Sequence, residues 1–506
     1  MDRNMNTTFN QLKTLLQEVH DLTKASAVLG WDRQTYMPPG GAAARSRQMS
    51  TLSKLVHERL TSDEMGELLE SLDEWHRSLD PDSDEAALIR YARREFTRGR
   101  AVPADLVQEM TLATGEANRV WQQARKEDDF RKFLPHLEKM FDLARQYAAC
   151  FPHFEHPYDA LLDRFEQGLT KAELTRIFEA IKRPQSELFK AILGSGVEID
   201  DRMLRQHFPA DAQIAASLEA AQMLGFDLQR GRLDLTTHPF ASAFSVNDAR
   251  ITTRVNENFL NACLFGTLHE TGHALYELGV APRLEGLPLA RGTSSGVHES
   301  QSRLFENLIG RSRAFARALL PVLQKHFPAQ LGDASVEAFY RAINKVQPSF
   351  IRVEADEVSY NLHIIVRFEI EVALIEGGLA PADLPDAWRQ KFEQYLGITP
   401  PTDREGVLQD VHWSWGLIGH FQSYALGNIL ACQWWERMRD DLPDPDALMA
   451  AGNITPLREW LIEHVHRHGR KYPPQELVRR VTGGPIDPAP YLRYLQAKYG
   501  QIYAVG

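Results

Sequence analysis

The hydrophobic residues of the chain recur mostly at the period of an α-helix. Residues 9–22 show this pattern clearly, because apolar side chains stand three or four positions apart with polar ones between them. Acids and bases at the same spacing indicate that these helices have one solvated face. Glycine and proline predict breaks at residues 30–32 and 37–41. Further helices are predicted over 42–60, 63–79, 82–97, 103–126, 130–150 and 170–193.

One region has a pattern typical of β-structure. Residues 238–244 and 249–255 are short and rich in β-branched or aromatic side chains, with an Asn-Asp dipeptide between them. This arrangement predicts an antiparallel hairpin or meander. A helix follows directly, with Asn258 as a candidate N-cap and Gly279 as a candidate stop.

The pattern as a whole predicts a mainly α fold with a small antiparallel sheet beside one helix. A helix over 296–315 and further helices to the C-terminus follow, and neither a repeat nor a composition shift divides the chain. We therefore predict a single domain over 1–506, shaped as a large helical body with two lobes around a cleft. Residues 1–237 form its mostly helical first part, and residues 238–506 carry the candidate chemistry.

Charge and cysteine content narrow the class of protein. The formal net charge of −11 disfavours nucleic acid or an anionic membrane as the main partner. The first residues are polar, and no run of about 18 apolar residues predicts a membrane span. Three widely spaced cysteines fit reduced thiols. We therefore expect a cytoplasmic protein.

Residues 267–277 contain a His-Glu-x-x-His motif. On a helix, His269 and His273 lie about 6 Å apart along the axis, so both imidazoles can bind one metal ion. Glu270 lies beside them, where it can act as a base toward water. Gly272 weakens the helix and would let another chain segment or a substrate approach closely. Two ordinary histidines on a helix would give the same motif, so a third ligand is needed to support a metal site.

The third ligand is predicted where the helix over 296–315 begins. A catalytic zinc site usually has three protein ligands, and either His298 or Glu299 can complete the set. Glu299, 26 residues after His273, would give the two-histidine, one-glutamate set of zinc peptidases. Alternatively, Glu299 is a first-turn acid favoured by the helix dipole. These residues alone leave both possibilities open.

With these motifs the chain resembles the M32 (carboxypeptidase Taq-like) family of metallocarboxypeptidases over nearly its whole length. Residues 420–424 read His-Phe-Gln-Ser-Tyr where many members read Tyr-Phe-Pro-Ser/Thr-Tyr, so Tyr424 is kept and its lead-in differs. Besides the metal motif, the matching signatures are Trp31-Asp32 with Tyr36-Met37-Pro38-Pro39-Gly40, His238-Pro239-Phe240, Asp248-x-Arg250-x-Thr252, His298-Glu299-Ser300-Gln301, Ile351-Arg352-x-x-Ala355-Asp356 and Gly406-x-x-Gln409-Asp410-x-His412-Trp413.

The resemblance implies a metal-dependent carboxypeptidase that removes residues one at a time from peptides with a free C-terminus. It implies a mostly helical, gluzincin-like body with a deep cleft and a small sheet, assembled as a homodimer. The implied cofactor is one divalent ion per chain, zinc or, in some members, cobalt. His269, His273 and Glu299 are the implied ligands.

Further residues receive roles from the chemistry of peptide hydrolysis. Glu270 is expected to be the general base for the attacking water. Tyr424, or otherwise His412, is expected to donate a hydrogen bond to the developing oxyanion. Alternatively, Tyr424 is a core tyrosine, and His412 is a structural histidine held by Asp410. His238 is expected either to bind substrate backbone or simply to end a strand.

Recognition of a terminal carboxylate favours arginine, because a planar guanidinium can form two parallel hydrogen bonds with it. Arg352 and Arg250 both lie within the signatures, and Arg352 is the preferred candidate. Alternatively, each arginine forms a structural salt bridge, Arg352 with Asp356 and Arg250 with Asp248.

Two acids, Glu306 and Asp356, are candidates to orient the ligand histidines. A second histidine cluster, His464, His466 and His468, is interpreted as a basic helix end rather than a second metal site. An endopeptidase or aminopeptidase on a similar scaffold is one rival function. A helical scaffold protein that keeps a metal for stability is the other, but a structural site has no need of the glutamate inside the motif.

Overall fold

Helices build most of the molecule. The computed structural model describes residues 2–506, with side chains from residue 5 onward. Helix accounts for 69% of the residues, so the predicted mainly α class is confirmed. The α-helices are α1 (Asp2–Thr35), α2 (Ala42–Leu60), α3 (Asp63–Ser71), α4 (Asp73–Ser78), α5 (Asp84–Ala101), α6 (Ala104–Glu127), α7 (Phe130–Ala149), α8 (Pro157–Leu162), α9 (Lys171–Gly194), α10 (Ala210–Met223), α11 (Leu260–Leu278), α12 (Ser295–Arg303), α13 (Arg313–His326), α14 (Pro328–Leu331), α15 (Val336–Ile343), α16 (Tyr360–Glu376), α17 (Leu384–Leu396), α18 (Gln422–Asp441), α19 (Pro445–Ala450), α20 (Thr455–His464), α21 (Pro474–Thr482) and α22 (Ala489–Tyr503).

The first helix is longer than the sequence pattern predicts. α1 continues through residues 30–32, where a break is predicted, and ends at Thr35. Trp31 is buried, and the guanidinium groups of Arg232 and Arg250 lie 5.4 and 4.8 Å from its ring centroid. These contacts with the sheet hold the last turns of α1, so tertiary packing overrides a weak local preference.

The sheet has three strands, β1 (Gly231–Leu235), β2 (Ala241–Ser245) and β3 (Asp248–Thr253), in the order β1-β3-β2. β2 and β3 form the predicted antiparallel pair, but β1 pairs parallel with β3. The prediction of an antiparallel sheet is therefore wrong, and the sheet is mixed. β1 has only five residues, beginning with glycine and alternating charged residues with leucine, which leaves too weak a local pattern to detect. It precedes residue 238, so the sheet joins both predicted parts of the chain.

The motif helix α11 packs against β3. The prediction that Asn258 caps it is wrong, because the N-cap residue is Phe259, whose side chain forms no capping hydrogen bond. The Asn258 N–H donates instead to Asn256 Oδ1. Burial of Leu260 and the apolar residues after it stabilises the start of α11 in place of a cap. The helix ends immediately before Gly279, as predicted.

Helices α11, α12 and α18 approach one another at positions where only glycine fits. A Cβ on Gly272 would lie 2.6 Å from the carbonyl oxygen of Gln301 and 2.6 Å from the Cα of Ser302. A Cβ on Gly427 would overlap the side chain of Glu299. The close approach predicted at Gly272 is therefore confirmed, and the segment that approaches is another helix.

The predicted helix over 296–315 is divided into shorter segments. α12 begins after Ser294, whose Oγ accepts a hydrogen bond from the Val297 N–H at 3.1 Å, as an N-cap does. A π-helical stretch, Leu304–Gly310, continues α12, and α13 begins at Arg313. Short π-helical turns occur frequently at functional sites.

The remaining helices supply the core. The largest cluster of buried apolar side chains draws on helices from α6 to α22, and a second cluster joins α1, α3 and α5 to residues 280–290. Over residues 2–506, no helix is both long and apolar enough to cross a membrane.

We expect Gly272→Ala to destabilise the protein, because its methyl group would meet the backbone of α12. Overpacking of this kind costs about 1–3 kcal/mol. Gly266→Ala is the matched control in the same helix, since nothing lies within 4 Å of its added Cβ, and it should stabilise by about 0.5–1 kcal/mol. Urea unfolding of both variants makes the comparison. Equal stabilities would contradict the close approach.

Candidate active site

Three of the predicted ligands meet in the structure. His269 and His273 project from α11, and Glu299 faces them from α12. The Nε2 atoms of His269 and His273 lie 3.6 and 3.5 Å from Glu299 Oε2. Among the side chains of residues 5–506, this is the one group of His, Cys, Asp or Glu whose ligand atoms are close enough to share an ion.

Glu306, on the π-helical stretch, orients His269. Its Oε2 lies 2.9 Å from His269 Nδ1. A carboxylate only accepts, so Nδ1 carries the hydrogen and the lone pair of Nε2 is free on the side of Glu299. Burial alone would raise the pKa of Glu306, but the hydrogen bond from His269 and the charge of Arg303 lower it to about 2. Glu306 is therefore charged at neutral pH.

His298 lies outside the ligand group and orients His273. Their Nδ1 atoms are 2.8 Å apart, and His298 Nε2 lies 2.7 Å from Glu277 Oε1. Burial lowers the pKa of His298, so it is neutral and carries one N–H. Glu277 draws that hydrogen to Nε2, which leaves Nδ1 of His298 to accept from His273. Nε2 of His273 therefore also keeps a free lone pair.

Glu299 is held in place through both carboxylate oxygens. Arg303 Nε donates to Oε1 at 2.8 Å, and Ser302 Oγ donates to Oε2 at 3.3 Å. Burial alone would raise the pKa of Glu299, but Arg303 and His269 hold it well below its usual range. The guanidinium of Arg303 in turn lies 4.4 Å from the ring centroid of Tyr360.

Glu270 is buried beside these ligands, with 6% of its surface exposed. Burial raises its pKa to about 7. A carboxyl group with a pKa near neutrality can both take up and release a proton at pH 7, which is what a general acid–base must do.

Arg352 belongs to a buried polar group that we call the Arg352 network, formed with Asp410, Tyr360 and Arg367. Arg352 donates from Nε and Nη2 to Asp410 Oδ1 at 3.0 and 2.8 Å, and from Nη1 to the Tyr360 hydroxyl at 2.9 Å. Arg367 Nε donates to Asp410 Oδ2 at 2.7 Å. The alternative pairing of Arg352 with Asp356 is therefore wrong. Asp356 instead accepts backbone N–H groups of its own loop, so it does not orient a ligand histidine.

Tyr424 lies between Arg352 and His412. The Arg352 guanidinium is 4.9 Å from the Tyr424 ring centroid, and the Tyr424 hydroxyl is 2.9 Å from His412 Nε2. Burial raises the pKa of Tyr424 and lowers that of His412 well below its usual range. At neutral pH, Tyr424 is therefore protonated and His412 is neutral. The ring of His420 lies edge-on to Tyr424, with centroids 5.1 Å apart.

The other two predicted substrate-binding residues lie beside the sheet. Arg250 donates from Nε and Nη2 to the two oxygens of Asp248 at 2.9 and 2.8 Å, so the alternative salt bridge is present. Its guanidinium also lies 4.8 Å from the ring centroid of Trp31. His238 is exposed in the segment before β2. In the described chain, neither side chain forms a hydrogen bond or ion pair with the ligand group.

The side chains of His464 and His466, from the second histidine cluster, point in different directions. α20 ends at His464, which agrees with the interpretation as a helix end, and the His464 ring lies against Trp460 in a tilted arrangement, with centroids 4.5 Å apart. His466 turns inward, with Nε2 2.8 Å from Gln301 Oε1. This histidine therefore packs behind α12.

A family model described as Carboxypeptidase Taq (M32) metallopeptidase matches residues 11–499. The match covers nearly the whole chain, so the chain belongs to the M32 family. It is therefore a metallocarboxypeptidase, a hydrolase of peptide bonds, and the family implies a divalent metal ion.

Relatives and solved structures agree with this family. "Thermostable carboxypeptidase 1" of Thermus thermophilus is 42% identical over 504 residues, covering 98% of this chain and 99% of the relative. "Carboxypeptidase 1" of Bacillus subtilis is 40% identical, covering 97% of each chain. The crystal structure of an M32 carboxypeptidase from Deinococcus radiodurans has a TM-score of 0.95 at 41% identity, covering 99% of this chain and 100% of that chain.

Sequence reasoning missed several residues that hold the site together. Arg303 follows Glu299 by four positions, and this helical spacing of opposite charges is a signal that predicts their pairing. Tyr360 and Arg367 carry no such signal, because they meet Arg352 and Asp410 from separate segments of the chain. The link from His273 through His298 to Glu277 likewise depends on how α12 packs against α11.

We expect Asp410→Asn to be strongly destabilising, because it leaves the buried guanidinium groups of Arg352 and Arg367 without a counter-charge. Breaking a buried pair in this way costs about 3–5 kcal/mol. Asp248→Asn, which removes the partner of the more exposed Arg250, should cost about 1 kcal/mol or less. Urea unfolding measures both changes, and similar losses in the two variants would contradict a structural role for Asp410.

Proposed function

We propose that this metallocarboxypeptidase holds one divalent ion, zinc, between His269, His273 and Glu299. The observation that carries the proposal is the pair of distances from Glu299 Oε2 to the two Nε2 atoms, 3.6 and 3.5 Å. Ligand atoms roughly 2.1 Å from a tetrahedral zinc ion are roughly 3.4 Å apart. The three side chains therefore suit such an ion with little movement. The same set also accepts cobalt.

A bound ion supplies a Lewis acid that polarises the scissile carbonyl and lowers the pKa of water. Glu270 takes the proton from the attacking water and passes it to the leaving amine. Its burial and its pKa of about 7 support this role, because a proton must move both onto and off the carboxylate within one turnover.

Tyr424 donates a hydrogen bond to the oxyanion that develops on the scissile carbonyl. Its phenol stays protonated at neutral pH because burial raises its pKa, so it is a donor. His412 positions this hydroxyl through the 2.9 Å contact of Nε2. A donor fixed before the reaction stabilises the transition state without reorganisation.

Arg352 binds the terminal carboxylate of the peptide. A guanidinium has five N–H donors, and Asp410 and Tyr360 engage three of them. The two that remain match the two hydrogen bonds a carboxylate accepts. Arg352 also lies against Tyr424, which connects carboxylate recognition with the oxyanion donor. Arg250, which pairs with Asp248 beside the sheet and makes no contact with Tyr424 like that of Arg352, is the weaker candidate.

Peptides of identical sequence that end in a free carboxylate or in an amide test this proposal. We expect stepwise loss of C-terminal residues from the free acid alone, because only it can bind Arg352. A chelator should abolish the reaction, and zinc should restore it. Products are identified by mass spectrometry. Equal cleavage of the amide, or internal cuts, would contradict carboxylate recognition and favour an endopeptidase.

We expect Glu270→Gln to lower kcat by about 10²–10⁴-fold, the usual contribution of a general base, while the protein still binds one equivalent of metal. Glu257→Gln is the matched control, since Glu257 is an exposed glutamate just before α11; it should keep full activity. Steady-state kinetics and metal analysis make the comparison. Loss of metal from the Glu270 variant would show that Glu270 acts as a ligand instead.

Zinc as the cellular metal, the homodimer, the cytoplasmic location and the substrate-binding roles of His238 and Arg250 stay predictions. Their support is the resemblance of the sequence signatures and, for zinc, the set of two imidazoles and one carboxylate, which zinc commonly accepts.

A further inference from the structure

A cavity of about 220 Å³ is lined in part by His298, the residue that orients the ligand His273. It is lined by α5 and by three loops, residues 163–167, 291–295 and 470–473. We call it the basic cavity, because arginine and lysine dominate the charged side chains of its lining. It has no part in the mechanism above.

The positive charges of the basic cavity are only partly neutralised. Its two carboxylates already have a partner, since Arg94 donates to Asp163 at 3.0 Å and to Glu95 at 2.7 Å. Lys471 pairs with Asp84 at 3.0 Å. Four further arginines of the lining form no ion pair with any side chain in 5–506: Arg90, Arg164, Arg291 and Arg470.

Three of these arginines, Arg90, Arg164 and Arg470, donate to backbone carbonyls. Arg470 Nε donates to the Gly292 carbonyl at 3.1 Å, and Arg90 Nη1 donates to the Pro81 carbonyl at 2.8 Å. Burial, followed by the charge of Arg291, lowers the pKa of Arg470 to about 10, so Arg470 is still charged at neutral pH. Like charges held together in this way are unfavourable unless an anion joins them.

A second cavity is lined both by the ligand His273 and by residues that also line the basic cavity. Its volume is about 260 Å³, and it runs from His273 along the edge strand β2. The two cavities share Tyr91, Arg291 and His298 in their linings. The second cavity thus lies between the ligand His273 and Arg291, with one carboxylate, Glu277, also in its lining.

The Arg352 network and the basic cavity reach the ligand group through different ligands. On the side of His269, Arg303 connects the group with the Arg352 network. On the side of His273, one helical turn further along α11, His298 lines the basic cavity. If the terminal carboxylate binds Arg352, the residues before the scissile bond extend toward the basic cavity.

We propose that the basic cavity is an anionic subsite that binds an aspartate or glutamate side chain located upstream of the scissile bond. The inference rests on the proposed function, because the position of Arg352 sets the direction of the peptide. Guanidinium groups bind carboxylates through paired, charge-assisted hydrogen bonds. A free anion such as phosphate has the same chemistry, so the experiment must separate the two sources.

The experiment uses free-acid pentapeptides with one C-terminal residue and a single Glu or Gln at the second, third or fourth position before the scissile bond. At one of these positions we expect Glu to raise kcat/KM about ten-fold over Gln, the effect of one charge-assisted hydrogen bond. The preference should fall at 1 M NaCl, because salt screens partly exposed charges. Binding of each peptide to Glu270→Gln, measured by calorimetry, should show the same ratio without turnover.

The variants Arg291→Gln and Arg470→Gln test whether the basic cavity causes the preference for Glu over Gln. In each variant the Glu-to-Gln ratio should fall toward one. The exposed position of Arg291 makes its variant the safer one for folding, and thermal midpoints report the folding of both. Arg480→Gln is the matched control: Arg480 lies on α21, pairs with Asp82 and is absent from the lining, so the wild-type ratio and rates should persist.

A ratio of one or less at every position, or a preference that both cavity variants retain, would overturn the proposal. It would also be overturned if inorganic phosphate accelerated cleavage of the Gln peptide in the wild type but not in Arg470→Gln, with no preference for Glu. That result would assign the cavity to a free anion. If neither peptide were cleaved, the proposed function would fail, and the calorimetric ratio would still decide the subsite.

Discussion

The site depends on the close approach of three helices. α11, α12 and α18 lie so near one another that Gly272 and Gly427 leave no room for a side chain. This packing brings Glu299, on one helix, to two histidines on another, and it fixes the distances of 3.6 and 3.5 Å. Packed interiors transmit small displacements. A methyl group added at either glycine would therefore push the helices apart and separate the carboxylate from both imidazoles.

The same packing aligns the groups that orient the ligands. Glu306 on the π-helical stretch binds His269, and the link through His298 to Glu277 binds His273. Each contact places the hydrogen on Nδ1 and leaves Nε2 free to coordinate. Arg303 holds the third ligand, Glu299, from one turn further along α12. Orientation, charge state and position of the three ligands thus follow from one arrangement of helices.

Local pattern predicted the features that local residues determine. Helical periodicity indicated most helices and the mainly α class, and the motif spacing placed His269, His273 and Glu270 on one helix. Prediction from local pattern failed where contacts between distant residues determine the structure. α1 continues to Thr35 because Trp31 packs on the sheet, and β1 forms only by pairing with β3. The resemblance singled out Glu299, Arg352 and Tyr424. No local signal could show that Asp410 binds Arg352 or that His298 serves His273, since both depend on tertiary packing.

We propose that this packing builds one metal site with two imidazoles and one carboxylate. Anomalous diffraction from crystals of the zinc-loaded protein, recorded on both sides of the zinc absorption edge, locates the ion and tests this proposal. We expect a single anomalous peak per chain, roughly 2.0–2.2 Å from the Nε2 atoms of His269 and His273 and from Glu299 Oε2. A peak bound by His298 in place of Glu299, or one among His464, His466 and His468, would contradict it.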